Sequence, residues 1–354
     1  MKKPLLYLLT AAAFLASCSK KSDPEPTPEP TPTPVTPVTP YEPDNSFKIV
    51  AYMPSYQDPA KVTDAKYKMV THLLYSFLSP NVAADGSLNA LPEAARFSTV
   101  RAKAKAFNVK FGVSIGGAES KQETFAAIAQ STTARANFIK NVVNFAKNNN
   151  IDGIDMDWEY PRTTSTTDVN PNASYTLLMK ELSAELHKNN KFLSASITPG
   201  VYVSSNRHAI SPEVYPYVDF FNIMQYDGGV GYDSAEPLNH ASMKMTEASL
   251  TFWLTTKGMP KEKAILGMPC YGRDGSGAAI SYTSIIASSK ANANVNSARV
   301  GVTDYGYNGV PMVKQKTQMA KDRCNGIMFW EFAQDTVDDT SLIKAANDQL
   351  GRAY

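Results

Sequence analysis

The sequence predicts an α/β fold, a closed (β/α)8 TIM barrel. Three observations predict it. Eight short apolar runs alternate with amphipathic helical stretches across residues 45–354. The runs are apolar almost throughout, as strands of a parallel sheet covered on both faces must be. Residues suited to chemistry gather at or just past the carboxyl ends of those runs, where barrels keep their sites. An open doubly wound sheet is the alternative. It would place a Gly-rich phosphate turn after the first strand, and Pro54-Ser55-Tyr56 stands there instead.

The predicted strands are residues 47–53, 70–78, 109–115, 151–157, 192–198, 218–226, 264–270 and 326–332. Helices are predicted over 92–107, 121–149, 172–190, 241–257, 314–323 and 339–350. The first carries apolar residues at helical spacing with Lys and Arg on its other face. The second is long enough for two helices, with a break expected near Ser131-Thr132. No internal repeat is visible.

Upstream of the barrel the chain changes character. Lys2 and Lys3 precede a short apolar stretch, 5–15, that is too short to span a bilayer. Leu15-Ala16-Ser17-Cys18 follows and looks like a bacterial lipobox. Residues 1–17 are therefore read as a lipoprotein signal peptide and Cys18 as the lipid attachment site. Residues 18–44 form a Pro/Thr-rich linker, whose alternating prolines favour extended polyproline II. Export and lipid anchoring to a bacterial membrane follow as expectations, with the outer membrane or cell surface favoured and that lipid the chain's membrane contact.

The net charge of +2 gives no electrostatic footprint for nucleic acid. His72, His187, His208 and His240 are scattered without ligand spacing, so no metal and no cofactor are expected. Cys270 and Cys324 fall at opposite ends of neighbouring predicted strands, too far apart to bridge, and are expected as buried free thiols. A monomer is expected.

The chemistry concentrates in residues 152–159, where four of eight residues are acids: Asp152, Asp155, Asp157 and Glu159. Strand alternation puts Asp155, Asp157 and Glu159 on one face and Ile154, Met156 and Trp158 on the other. Three carboxylates on one buried face force at least one to hold a proton. A protonated carboxyl beside an ionised one is equipment for cleaving an acetal. A calcium loop would need Gly turns between the acids and a distal Glu, and the intervening residues here are apolar. An inverting mechanism needs a base across the ring from the acid. Asp227 alone remains open for that place. Asp152 reads as a strand-start or packing residue without direct chemistry.

These residues resemble a known family. DGIDMDWEYP is similar to the DxxDxDxE signature of family 18 glycoside hydrolases, the chitinases. Four further motifs agree in barrel order: Ser114-Ile115-Gly116-Gly117 with SxGG, Met224-Gln225-Tyr226-Asp227 with MxYD, residues 267–273 with GxPxYGR, and residues 326–330, with Asp335 beyond, with GxMxW. The resemblance covers residues 47–335. It implies that Glu159 protonates the glycosidic oxygen. Asp157 would orient the substrate's acetamido group, so that the sugar's own carbonyl attacks and an oxazolinium ion forms. Asp155 would share a proton or hydrogen bond with Asp157, and Tyr226 would donate to the acetamido oxygen. Trp330 would floor the cleavage site, and Asp227 would contact the bent sugar or the acid. Met224, from the same motif, and Gly117 are counted with the substrate site.

Bland readings stand beside these. Tyr52 and Phe77 either line the sugar site or pack in the barrel mouth. Arg273 either contacts substrate or is a surface ion-pair partner. Ser114 with Gly116 and Gly117 reads mainly as a tight turn. Larger family members carry a sizeable α+β insertion between the last two barrel strands, and residues 274–312 leave no room for one. A shallow cleft and endo cleavage are the expectation. The implied partner is chitin or another N-acetylglucosamine glycan. An endo-β-N-acetylglucosaminidase acting on N-glycan cores is the first alternative, and an inactive chitinase-like lectin the second.

Overall fold

A computed structural model describes residues 40–164 and 172–354. The expected signal peptide, Cys18 and most of the expected linker lie outside the described residues. In chain order the first barrel strands are β1 (Lys48–Pro54), β2 (His72–Leu78), β3 (Lys110–Gly116), β4 (Gly153–Asp157), β5 (Phe192–Ile197), β6 (Phe220–Ile223) and β7 (Ala264–Pro269). An excursion follows, of β8 (Tyr271–Asp274), β9 (Ala279–Ser281), β10 (Ser297–Val300) and β11 (Thr303–Gly306), before β12 (Gly326–Trp330) closes the ring. The barrel order is β1-β12-β7-β6-β5-β4-β3-β2, all parallel.

Around it lie α1 (Asp64–Lys68), α2 (Ala94–Ala106), α3 (Gln122–Gln130), α4 (Thr132–Asn148), α5 (Ala173–Lys188), α6 (Met243–Leu250), α7 (Tyr282–Ser288), α8 (Val310–Arg323) and α9 (Leu342–Leu350). The expected break in the second helix falls at Ser131. Its backbone ends α3, and its hydroxyl accepts the Ala134 amide to start α4. The helix expected over 241–257 is α6 continued by a π-helical turn, Thr251–Thr256.

Two apolar layers result. Ile154, Met156 and Trp158 join the layer between barrel and helices, where Trp158 stacks on Phe125 of α3 at 5.5 Å. Val50, Tyr52, Leu74, Phe192, Phe220, Ile265 and Met328 fill the barrel itself. His72 plugs its floor edge-on to Phe192 and Phe220, at 5.5 and 5.4 Å, and burial pushes its imidazole down to about 3.

The sixth strand is shorter than the predicted 218–226. The Gln225 and Tyr226 amides turn back to the Ile223 and Met224 carbonyls, both at 2.8 Å, which takes them off the ladder and into the mouth. The excursion is small, as expected, yet it is built structure: an antiparallel sheet ordered β10-β11-β8-β9, with α7 beside it. Cys270 and Cys324 are buried free thiols.

Candidate active site

The β4 register places Asp155 between Ser114 of β3 and Ser194 of β5. Its carboxylate accepts from Tyr52 Oη at 2.9 Å, Ser114 Oγ at 2.7 Å, Ser194 Oγ at 2.7 Å and Asn222 Nδ2 at 3.2 Å. Asp157, one inward position higher, has no hydrogen-bond partner on Oδ1 among the described residues. Burial pushes both carboxyls up. The bonds to Asp155 oppose its rise, because they favour the charged form. For Asp157 the charges of Glu159 and Asp155 add to burial, and only Ser196 opposes. The pair therefore keeps its proton on Asp157 and its charge on Asp155. Burial also raises Glu159, to about 6, against the hydrogen bond from Tyr160.

Asp157 and Glu159 face a cavity of about 300 Å³ at the carboxyl ends of the strands. Trp330, Phe77, Met224 and Tyr226 all line it. Trp330 stacks on Phe77 at 5.6 Å, so the two rings form one apolar floor. Among the described residues the Tyr226 hydroxyl, buried at the same wall, reaches Met328 Sδ, at 3.9 Å, a weak acceptor free to yield to a ligand.

Asp227 stands at the rim with its side chain 45% exposed and a left-handed backbone, φ 58°. Its inner oxygen accepts from Tyr271 Oη at 2.7 Å and Arg273 Nε at 2.5 Å, both delivered by β8. Burial of that oxygen works the other way, but the bonds from Arg273 and Tyr271 hold the carboxyl well below the usual range. Arg273 thus resolves as the ion-pair partner of a cavity residue.

Tyr52 lines the cavity but is only 1% exposed, and its hydroxyl serves Asp155. Gly117 is not in the lining. Its N–H donates to the Asp157 carbonyl at 2.8 Å, and a Cβ there would lie 2.6 Å from the Phe77 ring. It carries the strand end and Ala118 takes the cavity place. Trp158 faces the helices and Asp152 caps the Phe111 amide at 2.8 Å, as expected.

Sequence reasoning missed Ser194, Ser196 and Asn222, and it read Ser114 as a turn residue. The available signal was alternation: Ser194 and Ser196 share one face of a strand otherwise apolar inward and outward. It also missed Tyr160 and Tyr202 of the cavity wall. Tyr202 donates to the Gly228 carbonyl, tying the loop after β5 to the loop after β6.

A family model for glycosyl hydrolases family 18 matches residues 48–335. The chain belongs to this family. Relatives include the chitinase-3-like protein 2 of Homo sapiens, 26% identical over 64% of this chain and 63% of that protein. The class V chitinase CHIT5 of Lotus japonicus is 26% identical over 85% of each chain. The chain thus spans less than two thirds of the first relative's length. Among solved structures, the GH18 chitinase ChiB of the Flavobacterium johnsoniae chitin utilization locus matches with a TM-score of 0.70 at 25% identity, over 86% of this chain and 94% of that one.

Proposed function

We propose that the chain is a retaining glycoside hydrolase that cleaves β-1,4-linked N-acetylglucosamine polymers with the substrate's own acetamido group as nucleophile. The observation that carries this reading is the division of labour among the acids. Glu159, raised to about 6, keeps a proton to give to the glycosidic oxygen. Asp157 stands beside it on the same wall, proton-bearing and therefore no nucleophile. Asp227 is bound to Arg273 and Tyr271 and held at low basicity, a poor base for water. Among the described residues of the cavity wall none is set up as an ionised nucleophile against the ring, which supports the reading that the substrate supplies the attacking oxygen.

Each remaining group then has a task. Asp157 holds the acetamido N–H and turns the carbonyl oxygen toward the anomeric carbon. Tyr226, whose hydroxyl serves a thioether, donates to that oxygen as the ring closes. Trp330 and Phe77 carry the sugar's apolar face. Water opens the ring with Glu159 as base, and the configuration is retained. Endo cleavage fits the small excursion beside β7.

Chitinase and chitinase-like names both occur among the relatives, so likeness alone does not decide turnover; the presence of Glu159 argues for it. Hydrolysis of N-acetylglucosamine oligomers, run beside a high-mannose glycopeptide, is expected on the oligomers. Glu159→Gln should lower kcat by about 10³-fold or more while oligomers still bind. Turnover by that variant at the parent rate would sink the proposal, and cleavage of the glycopeptide alone would move the substrate to N-glycans.

A further inference from the structure

Behind the cavity wall, on the side away from substrate, lies a buried ammonium that the chemistry above does not use. Lys316 of α8 is fully buried. Its Nζ donates to Gln225 Oε1 at 3.0 Å, Asn308 Oδ1 at 2.6 Å and the Ala241 carbonyl. Three N–H groups meet three oxygens, so the charged form is fully satisfied. Each oxygen belongs to a different piece of the site's support. Gln225 sits between Met224 and Tyr226 in the chain and points outward where they point in. Ala241 follows His240, whose Nδ1 accepts the Asp227 amide at 3.0 Å and whose carbonyl accepts the Gly228 amide at 2.8 Å. Asn308 follows β11, the strand that pairs with β8, which brings Tyr271 and Arg273 to Asp227.

We propose that Lys316 is a positioning residue: its ammonium fastens the segment carrying Met224, Tyr226 and Asp227 to α8 and to the excursion. This rests on the reading of Tyr226 and Asp227 given above, and it adds what holds them. A buried ammonium is a poor source of stability, because leaving water costs more than neutral oxygens return. Burial pushes it down to about 7, with only the nearby Glu236 pulling the other way. That cost is sensible where a single arrangement is needed. Thr246 also donates to Gln225 Oε1, at 2.8 Å, and Asn308 Nδ2 to the Ala241 carbonyl, at 3.0 Å. Without the ammonium those two oxygens keep a donor and Asn308 stays bonded to Ala241, so the fold survives while the segment of Gln225 loses its tie to both.

Native-state amide exchange tests this on the full chain. In Lys316→Met, exchange at Asp227 and Gly228 should quicken about tenfold or more, while the β4 amides of Asp155 and Asp157 stay slow. Gln225→Met removes the same link from its other end and should reproduce the pattern. Turnover of N-acetylglucosamine oligomers should fall about tenfold in both, mainly in kcat, because a displaced Tyr226 is felt in the transition state. Unchanged exchange at Asp227 and Gly228 in both variants overturns the proposal. So does exchange raised evenly across the barrel in both, which would mark a merely structural lysine. The exchange result stands without any activity, so failure of the parent to cleave the oligomers would count against the hydrolase reading alone.

Discussion

At the scale of single residues, the site works by giving neighbouring acids different surroundings. Asp155 is surrounded by donors and Asp157 is not. Glu159 lies between, raised by burial and restrained by Tyr160. On the proposed mechanism Glu159 is the general acid and must hold its proton, so kcat/KM should fall as pH rises through about 6. The Tyr160 hydroxyl donates to the charged carboxylate and so favours ionisation. Tyr160→Phe removes that help, the proton is held to higher pH, and the alkaline limb should move upward. A kcat/KM profile on a short oligomer measures it; a limb that stays put, or moves down, would show that Tyr160 does not set this proton.

At the scale of elements, the turn ending β3 fixes where the end of β4 lies. Gly116 has φ 126°, and a Cβ on it would stand 2.0 Å from the Asp157 carbonyl oxygen. Gly116→Ala should cost about 2–4 kcal/mol in urea unfolding and displace Asp157 enough to cut kcat by tenfold or more. Wild-type stability together with wild-type turnover would refute this close approach. The strand carrying Asp157 was legible in the sequence because period-two alternation is a local signal. So was the helix break, where Ser131 caps one helix while ending another. The cage around Asp155 was less so. Ser194 and Asn222 lie on two other strands and meet the acid only through barrel closure, which no local pattern encodes. Likewise β8 to β11 have three or four residues each, too few for a period to register, and gain their order from pairing with one another.

At the scale of the whole molecule, the site sets how stability depends on pH. Asp157 is raised well above an unfolded carboxyl, so the folded chain binds a proton that the unfolded chain releases above about 4. Stability from this group is present below the unfolded value and is lost as pH rises through the folded one. Glu331, pushed up to about 7 by burial against the Ala333 amide, acts in the same direction. His72, pushed down to about 3, acts oppositely: stability is lost as pH falls from about 6.5 toward 3. A maximum on the acid side of neutrality follows, with the decline toward neutral pH due largely to groups at or beside the cavity, Glu159 at about 6 included; above about 7 Lys316, pushed down by burial, opposes it. Asp157→Asn cannot ionise and keeps the other two groups. Its stability relative to the parent should therefore grow between pH 5 and 8, by up to about 1.4 kcal/mol per pH unit, while hydrolysis is lost. Urea unfolding of both proteins at pH 5, 6, 7 and 8 decides this. A constant difference would mean that Asp157 does not carry the proton, and the assignment of charge to Asp155 would fall with it.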